Sequence, residues 1–99
     1  MSNLIEVEVA TRRQLVEIAI LSDDFELAVS VVEEAIINNK WLRLAFLSYY
    51  RRGTKLSLYD VGLLDWDNIE YFRLICNLRK MSGWTDDRLY ELELLAKSV

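Results

Sequence analysis

The chain has 99 residues, 53% hydrophobic and 28% charged, with a formal net charge of −4. That composition fits one globular domain with a single core and excludes a disordered chain. It contains no histidine and one cysteine, Cys76, so it lacks the commonest proton shuttle and metal ligand and cannot form an internal disulfide.

The opening segment, Asn3 to Val9, alternates Ile5, Val7 and Val9 with Leu4, Glu6 and Glu8, the period of a half-buried strand. No other stretch alternates as well. The segment therefore pairs with the same strand of another copy, packs as an extended arm over residues 1–10, or joins an early helix; the first two are favoured. It has no basic region followed by an apolar run, and no apolar stretch approaches the roughly 20 residues of a membrane span. The chain reads as soluble and intracellular, with no membrane partner.

Thr11-Arg12-Arg13-Gln14 fits a capping box, and Leu15, Val16, Ile18 and Ala19 give the helix that follows, about 12–21, an apolar face. Ser22-Asp23-Asp24 breaks it, with Asp23 and Glu26 as the next capping pair. A second helix, about 24–38, has the clearest stripe: Phe25, Ala28, Val29, Val32, Ala35 and Ile36, widened by Leu27, Val31 and Ile37. Asn38-Asn39 suits a left-handed helix end. A third helix then runs from Lys40 to Arg51, closed by Gly53, with Leu42, Ala45, Phe46 and Tyr49 inward.

Ser57-Leu58-Tyr59-Asp60 opens a short helical turn ending near Gly62. Asp65 or Asp67 caps a longer helix through Met81, with Ile69, Phe72, Ile75 and Cys76 inward and Gly83 as its stop. Cys76 is expected to be a buried thiol that labels slowly. Thr85, followed by Asp86 and Asp87, caps the last helix, whose buried stripe is Leu89, Leu92, Leu95, Ala96 and Val99, with Glu93 and Lys97 as an i,i+4 pair. The expected fold is mainly α: a compact single-domain helical bundle or orthogonal array of about five helices spanning 1–99.

Chemistry is hard to place on this pattern. The acidic groups Asp23-Asp24-Glu26, Asp65-Asp67 and Asp86-Asp87 fall at helix starts, where carboxylates cap backbone N–H groups, and no calcium-loop spacing occurs. No phosphate loop, GxSxG, CxxC or zinc spacing is present. The expectation is no catalytic, metal or cofactor residue, and not an enzyme.

Charge is segregated. Residues 1–39 hold Glu6, Glu8, Glu17, Asp23, Asp24, Glu26, Glu33 and Glu34 against Arg12 and Arg13, whereas 40–55 hold Lys40, Arg43, Arg51, Arg52 and Lys55 with no acid. Arg73 and Lys80 make a second, smaller stripe. These seven bases are the candidate contacts for a partner or for phosphate. Pairing with the acidic faces of the first two helices is the favoured alternative role. Asp67 and Glu70 open the helix from 67 to 81, which argues against base readout. Trp41, Trp66 and Trp84 stand at or beside helix starts; core packing is favoured, but an exposed cluster of Trp66, Trp84 or Tyr59 would mark an interface.

The length, the lack of histidine and tight connections such as Ile36-Ile37-Asn38-Asn39-Lys40 make the chain similar to the small uncharacterised proteins of filamentous and rod-shaped viruses of hyperthermophilic archaea. The resemblance implies an accessory protein in the host cytoplasm, stable to heat and acid. The functional expectation is a non-enzymatic module binding a protein partner, a homodimer joined through the N-terminal segment. The alternative is a nonspecific binder of nucleic-acid backbone through 40–55.

Overall fold

The computed structural model describes residues 14–99, which are mainly α, with no strand among them. The N-terminal strand or arm and the capping box beginning at Thr11 lie outside the described residues. Helix α1 occupies 14–21, α2 Phe25–Asn38, α3 Lys40–Tyr50, α4 Leu58–Val61, α5 Trp66–Asn77 with a 3-10 turn over Leu78–Lys80, and α6 Asp86–Ser98.

Each helix from α2 to α6 begins where a short polar side chain accepts a hydrogen bond from a first-turn backbone N–H that has no partner within the helix. Asp24 accepts from Leu27, Asn39 from Leu42, Ser57 from Tyr59, Asp65 from Asn68 and Thr85 from Arg88. Two expectations need correcting. Asp24, not Asp23, caps α2; Asp23 instead sits at φ 55° and accepts the Ser82 N–H at 2.9 Å, tying the α1–α2 turn to the turn before α6. Asn39 is not left-handed but extended, at φ −138°. Its N–H bonds back to Ala35 while its side chain starts α3, so a single residue ends one helix and opens the next.

The core joins Val16 and Ala19 of α1, the α2 stripe with Val31, Leu42, Ala45 and Phe46 of α3, Tyr71, Leu74, Ile75 and Leu78 on and after α5, and Leu89, Leu92 and Ala96 of α6. Burying each large apolar side chain contributes about 1.5–3 kcal/mol before conformational entropy is set against it. Helix α2 is central, as its stripe predicts, though Ile37 is exposed.

The α5 face is rotated from the expected one. Tyr71, Leu74, Ile75 and Leu78 are buried, Ile69 and Phe72 are half-buried, and Cys76 is exposed. The alternative stripe at i, i+3, i+4 and i+7 wins because it puts Leu74 and Leu78 inside, and Cys76, one residue past Ile75, then turns about 100° away from the core. On α6, Leu95 is half-buried, Val99 is exposed, and Glu93 is buried without having been expected there. Neither Gly53 nor Gly83 acts as a left-handed cap: extended Arg51 ends α3, and no glycine has positive φ among the described residues.

Trp41 packs against Phe72 with tilted rings, at 5.6 Å between centroids, and Tyr49 meets Arg79, so α3 and α5 run in the same direction. Helix α6 runs against α3, since Arg51 reaches Glu93 while Arg43 reaches Val99. The parallel pair needs a crossing connection, and residues 51–65, carrying α4, supply it.

Candidate interaction surface

Three of the seven bases singled out from sequence are used within the fold. Arg43 donates from Nε to the Ile36 carbonyl at 3.0 Å, and from its other nitrogens to Ile37 and Val99, each at 3.3 Å. A guanidinium here satisfies carbonyls left over at the end of α2, where the helix dipole also favours positive charge. Arg51 grips Glu93 with two bonds, Nε to Oε2 at 2.6 Å and Nη2 to Oε1 at 3.1 Å, and Lys97 stands 3.8 Å from the same carboxylate. Arg73 pairs with Glu70 one turn earlier at 2.9 Å.

Glu93 is only 2% exposed. The covering groups include its own cationic partners at the surface, so it remains ionised: the Arg51 hydrogen bonds hold its carboxyl below the ordinary 4.5 against the opposing effect of desolvation. Asp23 is likewise held below its ordinary value by hydrogen bonds from Ser82.

Arg79 and Arg88, which are not among those seven, also carry structure. The Arg79 backbone N–H donates to the Tyr49 hydroxyl at 2.7 Å, and its guanidinium lies over the rings of Tyr49 and Tyr50 while donating to both their carbonyls. Burial pushes the Tyr49 hydroxyl up. Burial, followed by the bond to Asp86, does the same to Tyr50. Arg88 joins Glu26 at 3.1 Å, Glu33 at 3.9 Å, and Glu91. Pairing with the acids of the second helix is therefore real, but the base comes from α6 rather than from 40–55.

The remaining four, Lys40, Arg52, Lys55 and Lys80, form no ion pair with a described carboxylate. Lys40 stands at the far end of α3. Arg52 and Lys55 follow α3 and Lys80 follows α5, and the parallel course of these helices brings their C-terminal ends to one end of the molecule. Among the described residues no cluster of three acids or cysteines could hold a metal. Several carboxylates instead serve the fold: Asp24 and Asp65 accept from helix N-termini, Glu26 from Arg88, and Asp86 from the Tyr50 hydroxyl. No described helix is long and apolar enough to cross a membrane.

The crossing segment differs from the rest of the surface. None of the four residues of α4 is buried; Leu58 is 85% exposed, Tyr59 75%, Leu63 69% and Trp66 74%. Two shallow hollows flank Val61. One, of about 270 Å³, is lined by Val61, Gly62, Leu64, Asp65, Trp66 and Ile69. The other, of about 220 Å³, lies between Ala45, Ser48 and Tyr49 of α3, Phe72 and Cys76 of α5, and Leu56 to Leu58 with Val61 of the crossing segment.

Comparison with protein-family models, curated proteins and solved structures returned no match.

Trp41 packs on the core as expected, whereas Trp66 and Tyr59 do not. Cys76 faces the second hollow, where partial burial pushes its thiol up against the opposing pull of Lys80. The short helical turn opened by Ser57 is where the spacing puts it, but at four residues α4 is too short to show a periodic face, so the sequence does not tell which of its side chains are exposed. The available signal was Leu58, Tyr59, Leu63, Leu64 and Trp66 within a stretch whose turn residues leave no long element to bury them.

Proposed function

We propose that the protein is a non-enzymatic interaction module that binds a protein partner through the crossing segment 56–66. One observation carries this reading: four large apolar or aromatic side chains, Leu58, Tyr59, Leu63 and Trp66, stand largely in solvent along nine residues of chain, beside concave apolar ground. Tyr and Trp supply wide, rigid contact area at little entropic cost and dominate binding hot spots. Isolated exposed apolar residues need no explanation, but a contiguous group does.

A photo-activatable crosslinker placed at Tyr59 or Trp66 should yield a discrete protein adduct in the native cell, while the same group at exposed Glu17 should not. Equal labelling at all three sites, or none at 59 and 66, defeats the reading. Joining of two copies through residues 1–9 is part of the proposal; deleting them should halve the sedimenting mass, and an unchanged mass removes that part. The likeness to archaeal viral proteins adds high thermal stability, and a melting temperature below about 65 °C removes it.

The alternative, nonspecific contact with nucleic-acid backbone, is weakened because Arg43 and Arg51 are bonded to carbonyls and a carboxylate of the fold and Arg73 is paired with Glu70. Titration of labelled DNA and RNA at about 50 and 200 mM salt distinguishes it, since neutralising several phosphates makes affinity fall steeply with salt.

A further inference from the structure

The hollow between α3, α5 and the crossing segment has an apolar lining, and three bases lie next to its lining residues along the chain. Ala45, Leu56, Leu58, Val61 and Phe72 supply the apolar surface. Lys80 stands four residues, about one helical turn, beyond Cys76 at the end of α5, Lys55 adjoins Leu56, and Arg52 lies three residues before Lys55. None of these three bases pairs with a described carboxylate. Nearby bases show the contrast: Arg51 is held by Glu93, and Arg79 is spent on Tyr49 and Tyr50. From residue 51 to 64 the only acid is Asp60.

The arrangement is directional. The C-terminal ends of α3 and α5 also present the negative ends of their dipoles, so the bases gathered there are partly offset, and the surplus is local rather than a field over the whole molecule. From this charge complementarity we infer that the occupant of the hollow is an acidic amphipathic segment of another protein, its apolar side chains seated on Leu58, Val61 and Phe72 and its carboxylates set against Arg52, Lys55 and Lys80. An apolar stripe laid into a groove supplies affinity, and flanking charges fix partner choice and encounter rate. The inference rests on the interaction reading and names the chemistry of its partner.

The test is selection of random helix-length peptides displayed against the full chain, followed by synthesis of the enriched sequences and measurement of their Kd by fluorescence anisotropy. Enriched peptides should combine Glu or Asp with Leu, Phe or Trp at helical spacing. They should bind about tenfold more weakly to the Lys55→Glu/Lys80→Glu double variant, and lose affinity to Leu58→Asp while keeping it for Leu21→Asp. Neutral or basic peptides that still depend on Leu58 would overturn the acidic partner and leave the interaction surface standing. Peptides indifferent to Leu58 and Trp66, or none enriched, would overturn both. An oligonucleotide that binds and is lost on the same charge reversal would overturn the inference in favour of nucleic acid, and association of two copies through this face would replace the foreign partner with the chain itself.

Discussion

The junction of α2, α3 and α6 and the crossing segment 51–65 are built from similar residue types, arranged in opposite ways. At the junction the arginines have partners and the large apolar groups are inside: Arg43 holds the end of α2, Arg51 holds Glu93, Arg88 holds Glu26, and Phe46 is fully buried. In the crossing segment Arg52 and Lys55 have no ion pair with a described acid, and Leu58, Tyr59 and Leu63 are exposed. The first region turns its apolar and charged groups inward to hold the helices together; the second leaves its large apolar groups at the surface, where we propose that a partner meets them.

The sharpest way to break that contrast is to truncate one residue from each region. Phe46→Ala should cost about 3–5 kcal/mol in denaturant unfolding, because it removes buried transfer energy and leaves a cavity. A loss under about 1 kcal/mol would mean that the junction is not the stabilising half. Next in size is Asn39→Ala, which removes the α3 cap and should cost about 1 kcal/mol, read from the same curves.

Acid sharpens the comparison further. Glu93 and Asp23 both have carboxyls held below their ordinary 4.5 and 3.8, so their contribution is fully present above those values and disappears as pH falls through the lower folded-state ones. Stability should therefore decline below about pH 4.5, and Glu93→Gln should flatten the decline while lowering stability near neutrality. An identical acid profile for the variant would remove the Arg51–Glu93 pair from the account.

Cys76 tests the border between the two regions. It should react with a thiol reagent in the native protein, faster as pH rises past its ordinary 9.0, and not at the rate of global unfolding. The smallest effect is expected in the crossing segment itself: Trp66→Ala and Leu58→Ala should each change stability by no more than about 0.5 kcal/mol. A larger loss would make these residues part of the fold after all.

Much of the fold was legible because the relevant signals are local. The α2 stripe from Phe25 to Ile36, the cap at Thr85, the α5 cap at Asp65 as one of two alternatives with Asp67, and the inward face of Leu42, Ala45 and Phe46 depend on spacing within one helix and appear where spacing puts them. Reading failed where two apolar stripes compete on one helix, as on α5, whose rotation is chosen by what Tyr71 and Leu74 meet on other helices. It failed also for pairings across the chain: Asp23 with Ser82 and Arg51 with Glu93 join residues 59 and 42 positions apart, which no window shows. Of the candidate site, the bases Arg52, Lys55 and Lys80 were legible, but their gathering at one end depends on α3 and α5 running in parallel, and the exposure of Tyr59 and Trp66 depends on how the other described elements are placed around them.

Asn39 has a consequence for how the chain tolerates change in length. Because this one residue closes α2 and opens α3, an inserted residue would have no loop to absorb it. Continued as helix, it would turn everything beyond it by roughly 100° about the axis, carrying Leu42, Ala45 and Phe46 away from the surfaces they fill. The stretch from Arg52 to Leu56 could take the same insertion as extra loop at little cost. At position 39, residue number constrains the protein as tightly as residue type.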